Sequence, residues 1–342
     1  MINGSSRCSF ALMLALTWLA AAGCHAQSLP VSRFQPQGRL QPSRVSASKR
    51  FEGEVSRERL GTRLSILSGA SSFTPRFTIP ERGTVEGRSL TRQFITDTLR
   101  AQGYEVETQR YRAQGENVFV RLLAPNGSND WVLLGAHLDS VRNAGADDNG
   151  SGSAAVLEAA TVLARLSERK VNVIFAFFDE EELGLIGSKA MAKEFRKQGL
   201  NLTSVHTADM IGFDSDNDGA VEIERPDGPL WDYYQGVNRS HGLHIPITRT
   251  SSGDTDHVAF RAQGFQSVGV CEEWVGKDTT PHYHRKTDTF STINLDFLVS
   301  TTKLLVAVVG DLALGVPFPP AVQTLPHEQF PGRKRHFHPE GF

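Results

Sequence analysis

The stretch that decides the fold is WVLLGAHLDS, at residues 131–140. Its first six residues form a near-continuous apolar run, which is typical of a strand buried on both faces of a parallel sheet. A second run of this kind, VNVIFAFF at 171–178, follows a segment with helical apolar spacing at 152–166. Strand, helix and strand in this order predict a βαβ unit with two parallel strands.

The same alternation extends outward on both sides of this unit. Further helices are predicted at 56–67, 90–101, 188–198, 230–241, 256–263 and 293–314, and further strands at 104–111, 117–123, 202–209 and 266–271. The predicted fold class is therefore α/β, a single domain with a mixed, mostly parallel central sheet flanked by helices.

Composition and charge exclude several partners. The chain has 342 residues, 39% of them hydrophobic and 22% charged, which suits a globular protein. A formal net charge of -2 provides neither a basic field for nucleic acid nor a polybasic signal for anionic membranes. We expect a monomer that has no membrane span and no nucleic-acid partner.

The N-terminus has the order of a secretory signal peptide, with Arg7 followed by an apolar run at 10–22 and then small residues. That run is shorter than the about 20 residues of a membrane-spanning helix. We predict a signal peptide at 1–26 and an exported protein, either secreted or periplasmic. A lipid anchor at Cys24 is the alternative.

The remaining chain divides by composition. Residues 27–53 are polar and lack a sustained period, which indicates a linker or N-terminal arm. The catalytic domain is predicted at 54–315. Residues 316–342 are rich in Pro, His and Arg and cannot bury enough apolar surface to order themselves, so we expect a tail. Cys271 is predicted to be a buried small hydrophobe, and the chain has no disulfide framework.

Three predicted strands end in side chains that bind metals. His137 follows VLLGA, Glu182 follows VIFAFFDE, and Asp209 ends the run SVHTA. In open parallel sheets, ligands collect beyond the carboxyl ends of the strands. Each residue alone would be a common cap or turn residue, but the three together indicate a metal site. Imidazole nitrogen and carboxylate oxygen are ligands that zinc accepts readily.

A shared carboxylate would allow two adjacent zinc ions. Asp148, in the Gly-rich turn ADDNGSG, is the natural bridge, and Asp147 is the alternative. Two zinc ions bring four positive charges, and Asp148, Glu182 and Asp209 bring three negative charges. One bound hydroxide would make the cluster neutral and would be the nucleophile, because a metal lowers the pKa of water from 15.7 to about 7.

The acid beside one ligand has a different predicted role. Glu181 directly precedes Glu182, remains free of metal and can accept the proton of the water as general base. Glu180 is interpreted as an acidic residue that a helix N-terminus favours.

Five strings carry a family resemblance: GAHLDS, DNGSG, EELGLIGS, DMIG and PHYHRKTDT. Together they resemble the M28 family of zinc peptidases, and they are similar to bacterial secreted leucyl-type aminopeptidases over roughly residues 90 to 315. The resemblance implies a phosphorylase/hydrolase-like zinc peptidase fold. It also implies that one zinc is held by His137, Asp148 and Asp209, and the other by Asp148, Glu182 and His284.

Spacing alone leaves both His282 and His284 open as the last ligand, and the resemblance selects His284. It further implies that Asp139 orients the imidazole of His137 and that Tyr283 donates a hydrogen bond to the oxyanion. In the segment TDHVAF, His257 is either a structural histidine or a substrate contact. Some secreted relatives close this last loop with cysteines, which this sequence lacks.

The predicted function is that of a two-zinc aminopeptidase, which removes N-terminal residues from peptides that have a free N-terminus. The alternatives are a glutaminyl cyclase-like acyltransferase, a carboxypeptidase or dipeptidase on the same scaffold, and a non-catalytic receptor-like module.

The string DSDNDG at 214–219 resembles the first half of a calcium loop, with Asp214, Asp216 and Asp218 at alternate positions. The acid that would end such a loop is missing, because Arg225 stands at the twelfth position. Both Ca2+ binding and a plain polar turn therefore remain open.

Overall fold

The centre of the protein is an eight-stranded mixed sheet. It is observed in a computed structural model that describes residues 50–75, 77–251 and 253–318. The strands are β1 (Val106–Arg110), β2 (Glu116–Leu122), β3 (Asp130–His137), β4 (Asn172–Phe178), β5 (Asn201–Ala208), β6 (Val221–Glu224), β7 (Ile247–Thr250) and β8 (Ser267–Cys271). Their spatial order is β1-β2-β4-β3-β5-β8-β6-β7. Strands β4, β3, β5 and β8 are parallel neighbours, whereas β1, β2 and β6 join antiparallel.

Helices cover both faces of this sheet. They are α1 (Arg57–Leu67), α2 (Val85–Ala101), α3 (Gly152–Leu163), α4 (Ile186–Lys197), α5 (Leu230–Ser240), α6 (Asp256–Arg261) and α7 (Leu295–Ala313). In β4, Val173, Phe175 and Phe177 belong to the larger core, and Ile174 and Phe178 belong to the smaller one on the opposite face. Because both faces are buried, every residue of β4 is apolar after its first. The predicted α/β class is confirmed.

Helix α2 and strands β6 and β7 differ most from the sequence prediction. Helix α2 begins at Val85, five residues earlier than predicted, because the hydroxyl of Thr84 accepts a hydrogen bond from Gly87 N (3.1 Å) and caps the helix. Strands β6 and β7 were not predicted. They have four residues each, and β6 carries Glu222 and Glu224, which are buried although their type favours the surface.

The ends of the chain lie largely outside the described residues, including the predicted signal peptide and most of the predicted arm and tail. Of the arm at 27–53, the last four residues are described, and Phe51 among them is buried beside helix α7. Of the tail at 316–342, Phe318 is described and packs edge-on against Tyr233 at 5.0 Å between ring centroids. Cys271 is buried, as predicted, and forms no disulfide among the described residues.

No helix within the described ranges combines the length and the apolar character that crossing a bilayer would require.

His241, at the end of α5, connects the N-terminal segment to α7 and should make stability depend on pH. Its Nε2 lies 3.1 Å from Asp311 Oδ2, and its Nδ1 lies 3.0 Å from Glu52 Oε2. Arg50 donates to its carbonyl oxygen. The hydrogen bond with Asp311, aided by Glu52 and opposed by burial, raises the pKa of His241.

A pKa that is raised on folding stabilises the folded state below the unfolded pKa of about 6.5, and this contribution is lost as pH rises through the folded pKa. His241→Gln should therefore lower the urea midpoint more at pH 6 than at pH 9. The exposed His244, replaced by Asn, is the control and should show no such difference. Equal losses for His241→Gln at both pH values would contradict the prediction.

Candidate metal centre

Three neighbouring parallel strands bring the predicted ligands to one edge of the sheet. His137 is the last residue of β3, Asp209 follows β5, and Glu181 and Glu182 lie in the turn after β4. Because β4, β3 and β5 are adjacent and parallel, their carboxyl ends meet there. All four side chains are buried or half-buried.

Asp148 lies between two groups of ligand atoms. Its Oδ1 is 3.2 Å from Nε2 of His137, which is itself 3.4 Å from Oδ1 of Asp209. Its Oδ2 is 3.3 Å from Nε2 of His284, which is itself 3.0 Å from Oε2 of Glu182. The structure thus brings all five predicted ligands together, in two groups of three that share Asp148.

The distances between these ligand atoms fit tetrahedral coordination of a cation. Ligands that each lie about 2.0–2.2 Å from zinc are about 3.3–3.6 Å apart at the tetrahedral angle. Three of the four measured separations are 3.2–3.4 Å, and that between His284 and Glu182 is slightly shorter at 3.0 Å. Nε2 of His137 is buried without a hydrogen-bond partner among the described residues, as a nitrogen that faces a cation would be. The donor set is that of a zinc site.

The turn that carries Asp148 is fixed by its neighbours. The carboxylate of Asp288 accepts hydrogen bonds from the backbone N–H groups of Asp147 (2.8 Å) and Asp148 (3.1 Å). Asp147 Oδ1 accepts from Gly212 N (2.8 Å), so Asp147 supports the turn. At the start of α3, the Oδ1 of Asn149 accepts a hydrogen bond from Gly152 N (2.9 Å).

Asp139 connects two of the strand ends. Its carboxylate oxygens accept from the backbone N–H groups of Glu181 (3.1 Å) and Glu182 (3.2 Å). The closest contact of the His137 Nδ1 is the backbone carbonyl of Asp139 at 3.1 Å, and the carboxylate lies 3.5 Å away. Asp139 therefore positions the turn that carries both glutamates as well as the imidazole.

The electrostatics of the site favour added positive charge. Burial lowers the pKa of His137, but the nearby carboxylates outweigh it and raise the pKa well above the usual value. Burial also lowers the pKa of His284, but the carboxylates of Asp148 and Glu182 outweigh this effect and raise the pKa to about 10. Burial and the adjacent Asp148 raise the pKa of Glu182 to about 7. A bound metal ion would take the place of these protons, because metal ligands bind in their deprotonated form.

A buried cation that sequence reasoning missed lies beneath the site. Arg82 is completely buried, and its guanidinium donates to the carbonyls of Leu67, Leu138, Ala144 and Gly145 at 2.6–2.9 Å. It thereby ties the end of α1 to the loops after β3. The sequence gave no sign of this burial, because arginine side chains are mostly exposed and Arg82 is a single arginine in the loop at 80–84.

Four of the five predicted ligands, all except His137, line one cavity. Its walls are formed by Asp148, Glu181, Glu182, Asp209, Asp254, Tyr283 and His284. Both Glu181 and Tyr283 line this cavity, and their roles in catalysis stay predictions. Asp254 was not predicted.

Two other candidate histidines lie elsewhere. Nδ1 of His282 hydrogen-bonds Thr287 Oγ1 at 2.9 Å, and its ring contacts Phe213 edge-on. His257 is completely buried, and its Nδ1 lies 2.9 Å from Thr255 Oγ1. Neither residue lines the cavity.

The calcium-like string forms a surface turn. The carboxylates of Asp214, Asp216 and Asp218 come within 4.8 Å of one another. Asp216 Oδ1 accepts from Asp218 N (3.1 Å), and Asp278 accepts from Ser215 N (2.7 Å). These hydrogen bonds stabilise the turn, and calcium binding remains a prediction.

Solved structures share this fold. The LapA aminopeptidase of Legionella pneumophila superposes with a TM-score of 0.68 at 22% identity, covering 77% of this chain and 73% of LapA. The glutaminyl cyclase of Porphyromonas gingivalis superposes with a TM-score of 0.63 at 18% identity, covering 75% and 99%. At these identities the likeness concerns the fold.

Sequence comparison identifies the family. A protein of Trichophyton verrucosum named probable leucine aminopeptidase is 27% identical over 304 residues, covering 83% of this chain and 80% of that protein. The profile of peptidase family M28 matches residues 117–309, more than half of the chain. The matched region contains all five candidate ligands and the ends of the three strands β3, β4 and β5. The chain belongs to peptidase family M28.

Proposed function

We propose that this M28 peptidase is a two-zinc aminopeptidase, which removes the first residue from peptides with a free N-terminus. The observation that carries the proposal is the division of five ligands into two groups that share Asp148. The relative named leucine aminopeptidase supports the same activity. When bound, two zinc ions would polarise the scissile carbonyl and lower the pKa of the attacking water.

Glu181 is the proposed general base. Its side chain faces the cavity, and it belongs to neither group that shares Asp148. Burial raises its pKa well above the usual carboxyl value, and His137 opposes this shift. A carboxylate of raised pKa accepts a proton from water more readily and can return it to the leaving amine.

Tyr283 is proposed to stabilise the transition state. Its ring lies on that of His284, with 3.8 Å between centroids, and it meets Trp274 edge-on at 5.0 Å. These contacts fix the ring in the cavity wall. A phenol held in this way can donate a hydrogen bond where negative charge develops on the substrate carbonyl oxygen.

The cavity favours removal of a terminal residue. Three of its five acidic lining residues are proposed metal ligands, and the other two, Glu181 and Asp254, leave negative charge that attracts a free α-ammonium group.

A panel of substrates and removal of metal test the proposal. The purified protein should contain zinc and should hydrolyse a leucine anilide with a free amine, but not its N-acetylated form. Dialysis against a chelator should abolish this activity, and added zinc should restore it. Cyclisation of a glutaminyl peptide without anilide hydrolysis would favour the cyclase alternative. Cleavage of N-blocked peptides from the carboxyl end would favour the carboxypeptidase alternative, and absence of stoichiometric zinc would favour the non-catalytic module.

Export and the monomeric state remain predictions. We propose export on the basis of the signal-like residues 1–26, with the lipid anchor at Cys24 as the alternative. The monomeric state is likewise proposed, because the site is completed by residues of one chain.

A further inference from the structure

The cavity wall contains one acid that the proposed chemistry does not use. Asp148, Glu182 and Asp209 are the proposed carboxylate ligands, and Glu181 is the proposed base. The fifth acid, Asp254, lines the same cavity and precedes helix α6.

A close approach of the backbone holds Asp254 at the cavity. Gly253, directly before it, has φ 109°, and a Cβ at this position would lie 2.6 Å from Cδ of the buried Glu224. Only glycine allows the loop to pack so closely on strand β6. The position of Asp254 is therefore set by the packing of its neighbour.

The carboxylate of Asp254 can bind a second cation in addition to Arg225. Arg225 Nη1 lies 3.3 Å from Asp254 Oδ1 and 3.4 Å from the carbonyl of Gly253. Among the residues that the structure describes, Arg225 is the ion-pair partner of Asp254, and it contacts Oδ1 alone. The side chains are 38% and 39% exposed, so this pair is weak and leaves Oδ2 for another donor.

The rest of the wall indicates which side chain would fit. The seven lining residues are five acids, Tyr283 and His284, and none of them is aliphatic. A leucine side chain would find little apolar surface there. A long side chain with a cationic tip could place its methylene stem on the Tyr283 ring and its charge at Asp254.

We infer that Asp254 makes the enzyme prefer peptides whose first residue is lysine or arginine. The inference rests on the proposed aminopeptidase function and goes beyond it. The cation that Asp254 binds would be the side chain of the first residue and not its α-ammonium group. The α-ammonium group is one carbon away from the scissile carbonyl and must therefore stay near the metal ligands. Asp254 would hold the side chain through a charge-assisted hydrogen bond.

The test compares lysine and norleucine anilides, whose stems match and which differ in the terminal ammonium. The wild-type kcat/KM should be larger for lysine. Asp254→Asn should lower the ratio of lysine to norleucine by about tenfold, the low end for a hydrogen bond to a charged group at a partly exposed site. Arg225→Gln should raise the ratio, because it removes the competing cation. Asp97→Asn, the same change at an exposed position of α2, should leave the ratio unchanged.

The opposite signs of the two variants separate specificity from a structural role. If Asp254 only supports the loop through Arg225, both variants should impair all substrates alike, and this result would overturn the inference. An equal loss for lysine and norleucine in Asp254→Asn would also overturn it, since it would indicate an α-ammonium contact. If Asp254→Asn does not fold, Arg225→Gln still tests the inference, and an unchanged ratio of lysine to norleucine kcat/KM in that variant would overturn it. An active enzyme with unchanged ratios overturns this inference alone, whereas a zinc-loaded wild type inactive on every anilide overturns the proposed function as well.

Discussion

Replacement of Glu181 by Gln should lower kcat on an aminoacyl anilide by about a hundredfold or more, the range for loss of a general base. Glutamine has the shape of glutamate but cannot accept the proton of the attacking water. The turn should keep its place, because Asp139 holds it through the backbone N–H of residue 181 at 3.1 Å. The bound metal should also be retained, since Glu181 is not among the five proposed ligands.

Steady-state kinetics combined with metal analysis of the same preparation checks this prediction. Glu182→Gln is the matched comparison: it alters the adjacent residue, whose Oε2 lies 3.0 Å from Nε2 of His284, and it should lose metal as well as activity. The wild-type rate should also fall toward acidic pH as Glu181 becomes protonated, and Glu181→Gln should lack this limb. A near-normal kcat in Glu181→Gln would refute the assignment.

Replacement of Glu158 by Ala should destabilise the fold by about 3–5 kcal/mol, the usual cost of removing one partner from a buried ion pair. Glu158 lies on α3 and is completely buried. Its carboxylate accepts from Arg63 Nη1 (2.6 Å), Arg59 Nε (2.9 Å) and the backbone N–H of Ser56 (2.7 Å). Without it, the guanidinium of Arg63 stays largely buried and loses its neutralising partner.

Urea unfolding at pH 7 measures this loss. Glu54→Ala is the control, because its pair with Arg165 at 3.2 Å leaves the Glu54 side chain 47% exposed, and such pairs contribute about 0–1 kcal/mol. Glu158→Gln should fall between the two, since it keeps the volume and removes the charge. A loss below about 1 kcal/mol in Glu158→Ala would show that the pair does not anchor α1 to α3.

The centre of the fold could be predicted because its signals are local. The runs at 131–136 and 171–178 are continuous and apolar, since both faces of β3 and β4 are covered. Strands β6 and β7 could not be predicted in this way. Buried Glu222 makes β6 resemble a loop, and its Oε1 accepts hydrogen bonds from the distant N–H groups of Val275 and Gly276 at 2.8 and 2.7 Å.

The residues of the site also differ in whether the sequence alone could predict their positions. By itself, the sequence determined that His137, Glu182 and Asp209 meet at one sheet edge, because each follows a parallel strand and those strands end together. The spacing of residues left both His282 and His284 open, and the family resemblance selected His284. Only the tertiary structure divided the oxygens of Asp148 between two imidazoles and placed Arg82 and Asp254. These positions depend on loops that meet across more than a hundred residues, and the order of residues in a chain does not encode such distances locally.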